Sequence, residues 1–397
     1  MIIRKITAEE LDAFERVQAV CFTFPYKEEK REEPPKLPEN GDCWGSFTDE
    51  GVFQGGMIAN HYLCRVGGAQ HKMAGIGGVT TLPEFRRGGA IRAIFREMFK
   101  DLKSKGFVLS GLYPFSHAFY RKFGYEISYT FDYYRLPVSE LLGYPQPKSA
   151  YMAVASERLD QVRAIYEAFC QERSLTLARP RDEDWKQVWS GDPYKERKYR
   201  YILYNDQDQP CAYVCFFVNW KEWEKEPRTL DVRELCFIDK PSLYLALGFL
   251  SRFHPHYNNV NLLLPSDVYF TALHKNPYEV DPNPGHNYMM RILDVPAFLD
   301  KLDCPEGAGC VTLELRDDFL PENAGMYTIR WGDGKLCSQR GGQDPDIRLD
   351  QTSLTQLAMG FMPIDRLRFR QDVELIRNKS QIDALFPQRA LFVGDRY

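Results

Sequence analysis

The clearest hydrophobic pattern of the chain lies between residues 75 and 112. Gly75-Ile76-Gly77-Gly78-Val79-Thr80-Thr81 is a run of small and β-branched residues, which predicts a strand whose backbone can be approached closely. Apolar residues then recur at helical spacing at Ile91, Ile94, Phe95, Met98, Phe99 and Leu102. Gly106 follows as a C-cap, and residues 107–112 are apolar again. The pattern therefore predicts strand, helix and buried strand.

The turn between the first strand and the helix is Arg86-Arg87-Gly88-Gly89. The first turn of a helix carries unpaired N–H groups and a partial positive charge, and glycines let an anion reach them. The two arginines add positive charge. After Pro114, residues 116–125 predict a short helix that Ser116 caps and Gly124 ends. The stretch is thus predicted to form a compact phosphate-binding cofactor site.

The residues before this stretch predict a strand, a helix and a set of paired strands. Thr7 to Glu10 form a capping-box pattern, and Leu11, Phe14, Val17 and Val20 share one helical face. Residues 43–48, 51–59 and 62–66 are predicted to be separate strands. The charged, Pro-rich residues 26–39 fit either an exposed loop or mobile helix at the substrate entrance or a solvated linker without a role. A second linker is predicted at residues 143–147.

In the second half of the chain, predicted helices and strands alternate as they do in the first half. Helices are predicted at residues 157–170, 243–253, 296–302 and 353–359, and strands at residues 199–203, 212–218, 232–238, 260–264, 288–294, 311–316, 325–331, 335–338 and 346–349. The turn before the helix at 243 is Asp239-Lys240-Pro241-Ser242, which has no glycine where a phosphate would bind.

The length, net charge and cysteine content of the chain exclude several classes of protein. A chain of 397 residues predicts two or three domains. The net charge of -4 gives no electrostatic reason to expect nucleic acid, and the absence of a long apolar run or signal peptide predicts a cytoplasmic protein without a membrane span. The ten scattered cysteines predict reduced core residues. His254-Pro255-His256 lacks a third ligand, so no metal is expected.

The central stretch resembles the acyl-CoA-binding core of GNAT acetyltransferases. Its turn is similar to the motif Arg/Gln-x-x-Gly-x-Gly/Ala but has Ile91 at the last position. Residues 119–125, Phe-Tyr-Arg-Lys-Phe-Gly-Tyr, are similar to the run that closes GNAT cores. The middle of the chain resembles a second, degenerate GNAT fold, and the last part resembles a sterol-carrier-protein-like domain whose apolar faces fit either a lipid pocket or a plain core.

This domain order resembles that of the Eis (enhanced intracellular survival) acetyltransferases over the whole chain. The resemblance implies an α+β chain with two tandem GNAT folds, each a mixed β-sheet with helices on both faces, at residues 1–143 and 144–285, and a sterol-carrier-like α+β domain at 286–397. It implies an N-acetyltransferase that moves an acetyl group from acetyl-CoA directly to an aminoglycoside, polyamine or lysine-type amine, assembled as a homohexamer. The implied cofactor contacts are Val79, Thr80, Thr81, Arg87, Gly88, Gly89, Ala90, Ile91, Arg92, Phe115 and Ser116.

The resemblance also implies that Tyr120 is the general acid and that the carboxylate of Tyr397 is the general base. Tyr120 holds a proton at neutral pH because an unperturbed tyrosine has a pKa of about 10. Tyr125 is a rival acid and His117 a rival base. Two other functions stay open: a longer-chain N-acyltransferase, since N-myristoyltransferases also pair two GNAT folds, and a lipid-binding or scaffold protein with an inactive site.

Overall fold

The computed structural model describes residues 1–26, 36–217 and 228–395. In the first part of the chain the elements are β1 Ile2–Lys5, α1 Leu11–Phe22, β2 Gly41–Phe47, β3 Phe53–Val66, β4 Ala69–Thr81, α2 Ala90–Ser104, β5 Leu109–Leu112, α3 His117–Arg121 and β6 Glu126–Pro137. In the middle they are β7 Ser149–Met152, α4 Leu159–Gln171, α5 Pro193–Glu196, β8 Lys198–Tyr204, β9 Pro210–Phe217, β10 Thr229–Phe237, α6 Lys240–Ser251, β11 Asn259–Leu264, α7 Phe270–Leu273 and β12 Asp281–Ile292. In the last part they are α8 Val295–Leu299, β13 Gly309–Arg316, β14 Gly325–Gly332, β15 Lys335–Arg340, β16 Ile347–Asp350, α9 Gln351–Ala358, α10 Ile364–Leu367, β17 Glu374–Leu375 and α11 Lys379–Leu385.

The chain forms two compact units that do not follow the order of the sequence. The first unit contains residues 1–128, 287–388 and Asp395, and the second contains residues 129–286 and 389–394. The chain leaves the first unit within β6 and returns to it within β12. Most of the first predicted domain and most of the third therefore belong to the same unit.

The first sheet of unit 1 has the strand order β1-β2-β3-β4-β5-β12. Its neighbours are antiparallel except β4 and β5, which are parallel and are connected by α2. Successive side chains of a strand point to opposite faces. On β2, Trp44 packs in the core with α2, while its neighbour Cys43 packs with Leu11 and Phe14 of α1. Helices therefore cover both faces of this sheet, as predicted.

A second sheet in unit 1 has the order β15-β14-β13-β16-β17. It is antiparallel except for the parallel pair β13 and β16. All eight residues of α9 are buried, so this helix lies in the interior and not at the surface. The antiparallel strands predicted around the turn at Gly332-Asp333-Gly334 are confirmed as β14 and β15.

Unit 2 repeats the plan of the first sheet. Its strand order is β6-β11-β10-β9-β8-β7, and the parallel pair β10 and β11 is connected by α6, as β4 and β5 are by α2. The helix α4 packs on β9 and β10. Cys211, Cys215 and Cys236 are buried here, as predicted. The second GNAT-like fold is thus present in the structure.

One predicted strand boundary and one predicted buried residue were wrong. The strands predicted at residues 51–59 and 62–66 are one continuous strand, β3, and the chain turns instead at Gly67, whose φ is 60°. Val20 of α1, predicted to lie on the buried face, is 56% exposed. The strand predicted at residues 288–294 forms the end of β12, but it pairs with β5 of the first sheet and not with the strands that follow it. Residues 27–35 of the predicted entrance loop lie outside the described residues.

Candidate active site

The site begins where β4 and β5 separate. Their parallel pairing covers only Met73–Ile76 and Leu109–Leu112, so β4 continues beyond it without a partner on that side. Its pairing with β3 shifts register between Ile58 and Gly56, and Gly78 has a φ of 59° at this bulge. This positive φ favours glycine, and a β-carbon on Gly78 would lie 2.3 Å from the side-chain nitrogen of Gln18, which would have to move. The bulge and the separation open the sheet at Val79, Thr80 and Thr81.

The N-terminus of α2 lies directly after this opening. Gly89 is the N-cap residue, with a φ of 84°, and no side chain caps the helix. The backbone N–H groups of Ala90, Ile91 and Arg92 at the first turn therefore lack an intrahelical partner. Gly88 and Gly89 are exposed, and nothing lies within 4 Å of the position of a β-carbon on Gly89. These open donors are what a phosphate group requires.

The charged residues of the turn differ in their surroundings. Arg86 Nε donates to the backbone oxygen of Thr81 at 3.2 Å, which fixes this arginine to the end of β4. The exposed Arg87 forms no ion pair with any described residue. The guanidinium of Arg92 lies 5.4 Å from the ring centre of Phe319. Among the described residues, Arg87 is thus the cation of this turn that has no ion-pair partner and could meet an anion.

These residues fit the pantetheine and pyrophosphate of a coenzyme A ester. A ligand at the opening can bond to the β4 backbone beyond Ile76, where β5 offers no partner. Thr80 Oγ1 is buried and has no hydrogen-bond partner among the described residues, so it is a free polar atom on the same stretch. Phe115, which is 67% exposed, and Ser116 follow β5 on the other side of the opening. The structure brings all the predicted cofactor residues to this end of the two strands.

Tyr120 lies on α3, whose N-cap Ser116 accepts a hydrogen bond from the Phe119 N–H at 3.3 Å. The Tyr120 side chain is 3% exposed and packs edge to face against Phe115 and Tyr125. Burial raises the pKa of Tyr120 well above its usual range. Its hydroxyl forms no hydrogen bond with another described residue. Among the described residues it is therefore a protonated phenol without a hydrogen-bond partner.

Tyr125 differs from Tyr120 in its hydrogen bonding. It is fully buried, and its hydroxyl lies 2.6 Å from Ser110 Oγ. Ser110 Oγ donates its own hydrogen to the Ala74 oxygen at 2.9 Å, so the hydrogen between the two hydroxyls comes from Tyr125. The hydroxyl hydrogen of Tyr125 is thus used in a hydrogen bond to Ser110 of β5, which in turn donates to Ala74 of β4.

The two predicted bases are in different situations. His117, the first residue of α3, is partly buried, and its Nε2 lies 3.2 Å from Asn287 Nδ2. Because an amide nitrogen can only donate, this Nε2 is the acceptor. Tyr397 lies outside the described residues. The Tyr113 hydroxyl, directly after β5, donates to the backbone oxygen of Asp395, which brings the described end of the chain to this region of unit 1. Tyr113 was missed in the sequence, where no pattern marks it.

The equivalent helix terminus of unit 2 is closed. The Asp239 carboxylate caps α6 and accepts hydrogen bonds from the Ser242 N–H at 2.9 Å and the Ser242 hydroxyl at 2.5 Å. Pro241, in the first turn, has no N–H to offer. A carboxylate of the protein thus occupies the position of an anionic ligand. No glycine is therefore needed at this turn to let a phosphate approach.

Comparison with known families agrees with this geometry. Two models described as "Acetyltransferase (GNAT) domain" match residues 2–128 and 176–292, and a model described as "Sterol carrier protein domain" matches residues 295–394. The GNAT matches together cover more than half of the chain. The chain therefore belongs to the GNAT acetyltransferases and is an acyltransferase enzyme.

Individual relatives refine this class. An uncharacterized N-acetyltransferase from Streptomyces avermitilis is 26% identical over 75% of this chain and 76% of its own length. Eis1 from Mycobacterium abscessus has a TM-score of 0.82 at 22% identity, with 100% of both chains covered. A probable N-acyltransferase from Enterococcus faecalis has the same TM-score at 21% identity, with 98% of both covered. In fold and domain order the protein is an Eis-like GNAT acetyltransferase.

Proposed function

We propose that this protein transfers an acetyl group from acetyl-CoA to a primary amine of an aminoglycoside, a polyamine or a lysine side chain. The observation that carries the proposal is the uncapped N-terminus of α2, which presents Gly88, Gly89 and Arg87 at the opening between β4 and β5. Arg87 has no ion-pair partner among the described residues. A fixed set of N–H donors and one unpaired cation recognise a pyrophosphate. GNAT membership supports an acyl-CoA co-substrate, which supplies an acyl group activated as a thioester.

The protein's residues divide this task. The N–H groups of Ala90, Ile91 and Arg92, with the Arg87 side chain, hold the phosphates. The free β4 backbone at Val79, with the neighbouring Thr80 and Thr81, aligns the extended arm. Phe115 and Ser116 border the other side. An oriented substrate reacts faster because positional freedom is lost on binding and not at the transition state.

Tyr120 holds the proton that the departing thiolate needs. Its raised pKa keeps the hydroxyl protonated at neutral pH, and its hydroxyl has no competing partner among the described residues. Tyr120 Oη gives this proton to the sulfur as the acyl group moves to the amine. The engaged hydroxyl of Tyr125 supports this choice between the two tyrosines.

The C-terminal carboxylate of Tyr397 removes a proton from the incoming amine, directly or by orienting a water. The bond from Tyr113 to Asp395 supports this role because it holds the chain two residues before its last residue at the end of β5. An α-carboxyl pKa of about 3.5 makes a weak base, so the carboxylate also stabilises the ammonium before it loses its proton. The bond between His117 and Asn287 leaves His117 less free to take that proton.

The first test measures free-thiol release from acetyl-CoA with an aminoglycoside, a polyamine and a lysine peptide as acceptors. The second compares acetyl-CoA affinity by calorimetry in Gly89→Val and Gly106→Val. Both glycines have positive φ, of 84° and 79°, and open space around them, but they lie at opposite ends of α2. We expect Gly89→Val to weaken acetyl-CoA binding by about tenfold or more, because the valine side chain would occupy the space through which a phosphate reaches the N–H groups of the first turn. Gly106→Val should leave the affinity unchanged. The same acetyl-CoA affinity in Gly89→Val as in Gly106→Val would contradict the proposal.

A further inference from the structure

The segment that carries Tyr120, residues 116–127, is too short to fix its own geometry. The helix α3 has five residues, and isolated helices of this length are not stable in water. What holds α3 must therefore come from outside it. Most of the polar contacts that leave this segment end on residues 291–370, in the part of unit 1 that follows β12 or in its last residues.

The first contact is a buried ion pair next to the segment. Arg291, at the end of β12, is fully buried and forms an ion pair with Asp317 at 2.5 Å. Its Nη1 also donates to the backbone oxygen of Phe123. Gly124 has a φ of 79°, and a β-carbon there would lie 1.8 Å from Arg291 Nη1. The absence of a side chain at Gly124 therefore leaves room for Arg291.

Asp317 is itself held in place by residues of the sterol-carrier-like part. Its Oδ1 accepts hydrogen bonds from the N–H groups of Phe319 and Leu320, at 3.1 and 2.9 Å. The Phe319 ring packs against Phe123, with 5.4 Å between the ring centres. A buried carboxylate, a buried guanidinium and an aromatic contact thus join the turn after α3 to residues 317–320.

The second contact is a network around Glu126, whose side chain is 1% exposed. Arg121, the last residue of α3, donates to the Glu126 carboxylate through Nε at 2.9 Å and Nη2 at 2.8 Å. Arg370 donates to the same carboxylate at 3.1 Å. Burial alone would raise the pKa of Glu126, but these bonds and one from the Ile127 N–H hold it below its usual range. Glu126 is therefore an anion between two arginines.

Arg370 is anchored in the sterol-carrier-like part by its other donors. Its Nη2 donates to Thr352 Oγ1 at 2.8 Å and its Nε to Asp372 Oδ1 at 3.0 Å. Gln356 of α9 accepts a bond from Arg370 at 3.2 Å and donates to the Ile127 oxygen at 2.9 Å. The guanidinium thus connects α9 to the residue that holds the end of α3.

We propose that the sterol-carrier-like part is a scaffold for catalysis, in which Arg370 and the Arg291–Asp317 pair are positioning residues for the Tyr120 hydroxyl. The inference rests on the proposed role of Tyr120 as the acid. None of the three residues touches the reacting atoms; each acts through the backbone of residues 116–127. A displacement of about 1 Å can lower a rate by about 100-fold, so this support matters for the chemistry and not only for stability.

The test is Arg370→Gln, which removes one of the two cations at Glu126 and leaves the exposed pair partner Arg121 in place. The matched control is Arg348→Gln, on β16 in the second sheet of unit 1. Arg348 also forms two ion pairs, with Glu314 and Glu374, but all three side chains are solvent-exposed. We expect kcat to fall by about tenfold or more in Arg370→Gln, with the KM for acetyl-CoA within about twofold, and neither to change in the control. Arg370→Lys should restore part of kcat.

Hydrogen exchange measured by mass spectrometry gives a readout that needs no acceptor. Amide exchange should increase in peptides from residues 116–127 in Arg370→Gln and stay unchanged in Arg348→Gln. If Arg370→Gln does not fold, Glu126→Gln takes its place, with the same expected pattern. Unchanged exchange in this segment of a folded variant would overturn the proposal.

A double-mutant cycle decides whether Arg370 acts through Tyr120. In a Tyr120→Phe background, Arg370→Gln should cost little or nothing further in kcat. An equal loss in both backgrounds would mean that Arg370 does not act through Tyr120 and would overturn the inference. By contrast, a Tyr120→Phe variant with the wild-type kcat would refute the proposed acid role itself. The two failures are therefore distinguishable.

Discussion

Tyr120 and Tyr125 belong to one short motif and are both buried, yet their hydroxyls have different surroundings. The Tyr125 hydroxyl donates to Ser110, and the Tyr120 hydroxyl has no partner among the described residues. Burial raises the pKa of both. At the scale of the residue, it is therefore the free hydroxyl, and not acidity, that separates the candidate acid from a structural tyrosine.

Replacing each tyrosine by phenylalanine separates these roles. Tyr120→Phe should lower kcat by about 100- to 10,000-fold with little change in acetyl-CoA affinity, because a positioned proton donor is lost. Tyr125→Phe should leave kcat near wild type and reduce the free energy of unfolding by about 1 kcal/mol, the usual value of one hydrogen bond. Steady-state kinetics and urea unfolding measure both. Equal, mild losses of kcat in the two variants would contradict the assignment.

His71 on β4 gives unit 1 a defined dependence of stability on pH. It is buried and stacks on Phe298, and burial, with the charge of Lys301, lowers its pKa to about 4. The unfolded chain binds the same proton near pH 6.5, so between pH 6.5 and 4 the unfolded state holds more protons. This group alone should therefore reduce the free energy of unfolding by about 1.4 kcal/mol for each pH unit lost in that window.

The variant His71→Phe keeps an aromatic ring next to Phe298 but cannot titrate. Urea unfolding of both proteins at several pH values between 7 and 4 measures the difference. The gap between wild type and variant should widen in favour of the variant as the pH falls. His61, whose pKa is also lowered by burial, is present in both proteins and cancels. A constant gap across this range would show that His71 is protonated equally in both states.

At the scale of elements, the two GNAT folds differ in what meets the N-terminus of one helix. On α2 the first turn is uncapped and preceded by glycines, whereas on α6 Asp239 supplies the capping carboxylate. A cap stabilises a helix by about 1 kcal/mol, so α2 gives up stability where a ligand is expected to supply the missing acceptor. Of the two, only α2 keeps its donors available for a substrate.

The turn after α3 gives a prediction about Gly124. Gly124 and Gly307 both have positive φ, of 79° and 73°, but a β-carbon on Gly124 would collide with Arg291, and one on Gly307 would meet nothing within 4 Å. Gly307→Ala should cost about 1–2 kcal/mol of stability through backbone strain alone. Gly124→Ala should cost about 3 kcal/mol more, because the buried Arg291–Asp317 pair is disturbed. Urea unfolding tests this, and equal costs would contradict the role of Arg291.

At the scale of the whole molecule, residues 390–393 near the end of the chain are packed and paired. Within unit 2, Leu391 pairs with Ser174 and accepts a bond from the Ser266 N–H at 3.0 Å, and Phe392 packs edge to face on Phe169. Chain termini are usually loose, so this burial is unusual for a tail. It agrees with the apolar residues 390–393 in the sequence.

Adding one glycine after Tyr397 tests the carboxylate. The extension moves the charge by about 3.5 Å and alters no side chain. We expect kcat to fall by about 100-fold or more while acetyl-CoA affinity and unfolding stay the same, since a positioned base contributes at least that much. Tyr397→Phe is the control, because it keeps the carboxylate in place and should react at nearly the wild-type rate. If the extended protein also keeps that rate, His117 becomes the base to examine.

In the part of the chain that the structure describes, no helix is long and apolar enough to cross a membrane, and no group of three or more His, Cys, Asp or Glu side chains could hold a metal ion.

The sequence by itself determined many of the elements of both GNAT folds and the glycine turn before α2, but not β6, β7, α5 or α7. These are local properties: the apolar spacing of α2, the glycines before it and the Ser116 cap all lie within a few residues of the structure they specify. The missing glycine at Asp239 likewise predicted that the second fold is degenerate. The merging of residues 53–66 into one strand was not predictable, because the polar Asn60-His61 step resembles a break and only pairing with β4 makes it continuous.

Only the tertiary structure decided which distant residues support the site. Arg291, Asp317, Glu126 and Arg370 follow no motif, since a charged residue in a sequence is far more often on the surface than in a buried pair. The pairing of Met289–Ile292 with β5 could not be predicted either. It forms only because the chain returns from the second unit and meets a strand that is distant in the sequence. Local spacing thus fixed the glycine turn before α2, and long-range packing fixed the contacts around α3, because burial and pairing across more than 150 positions leave no periodicity to detect.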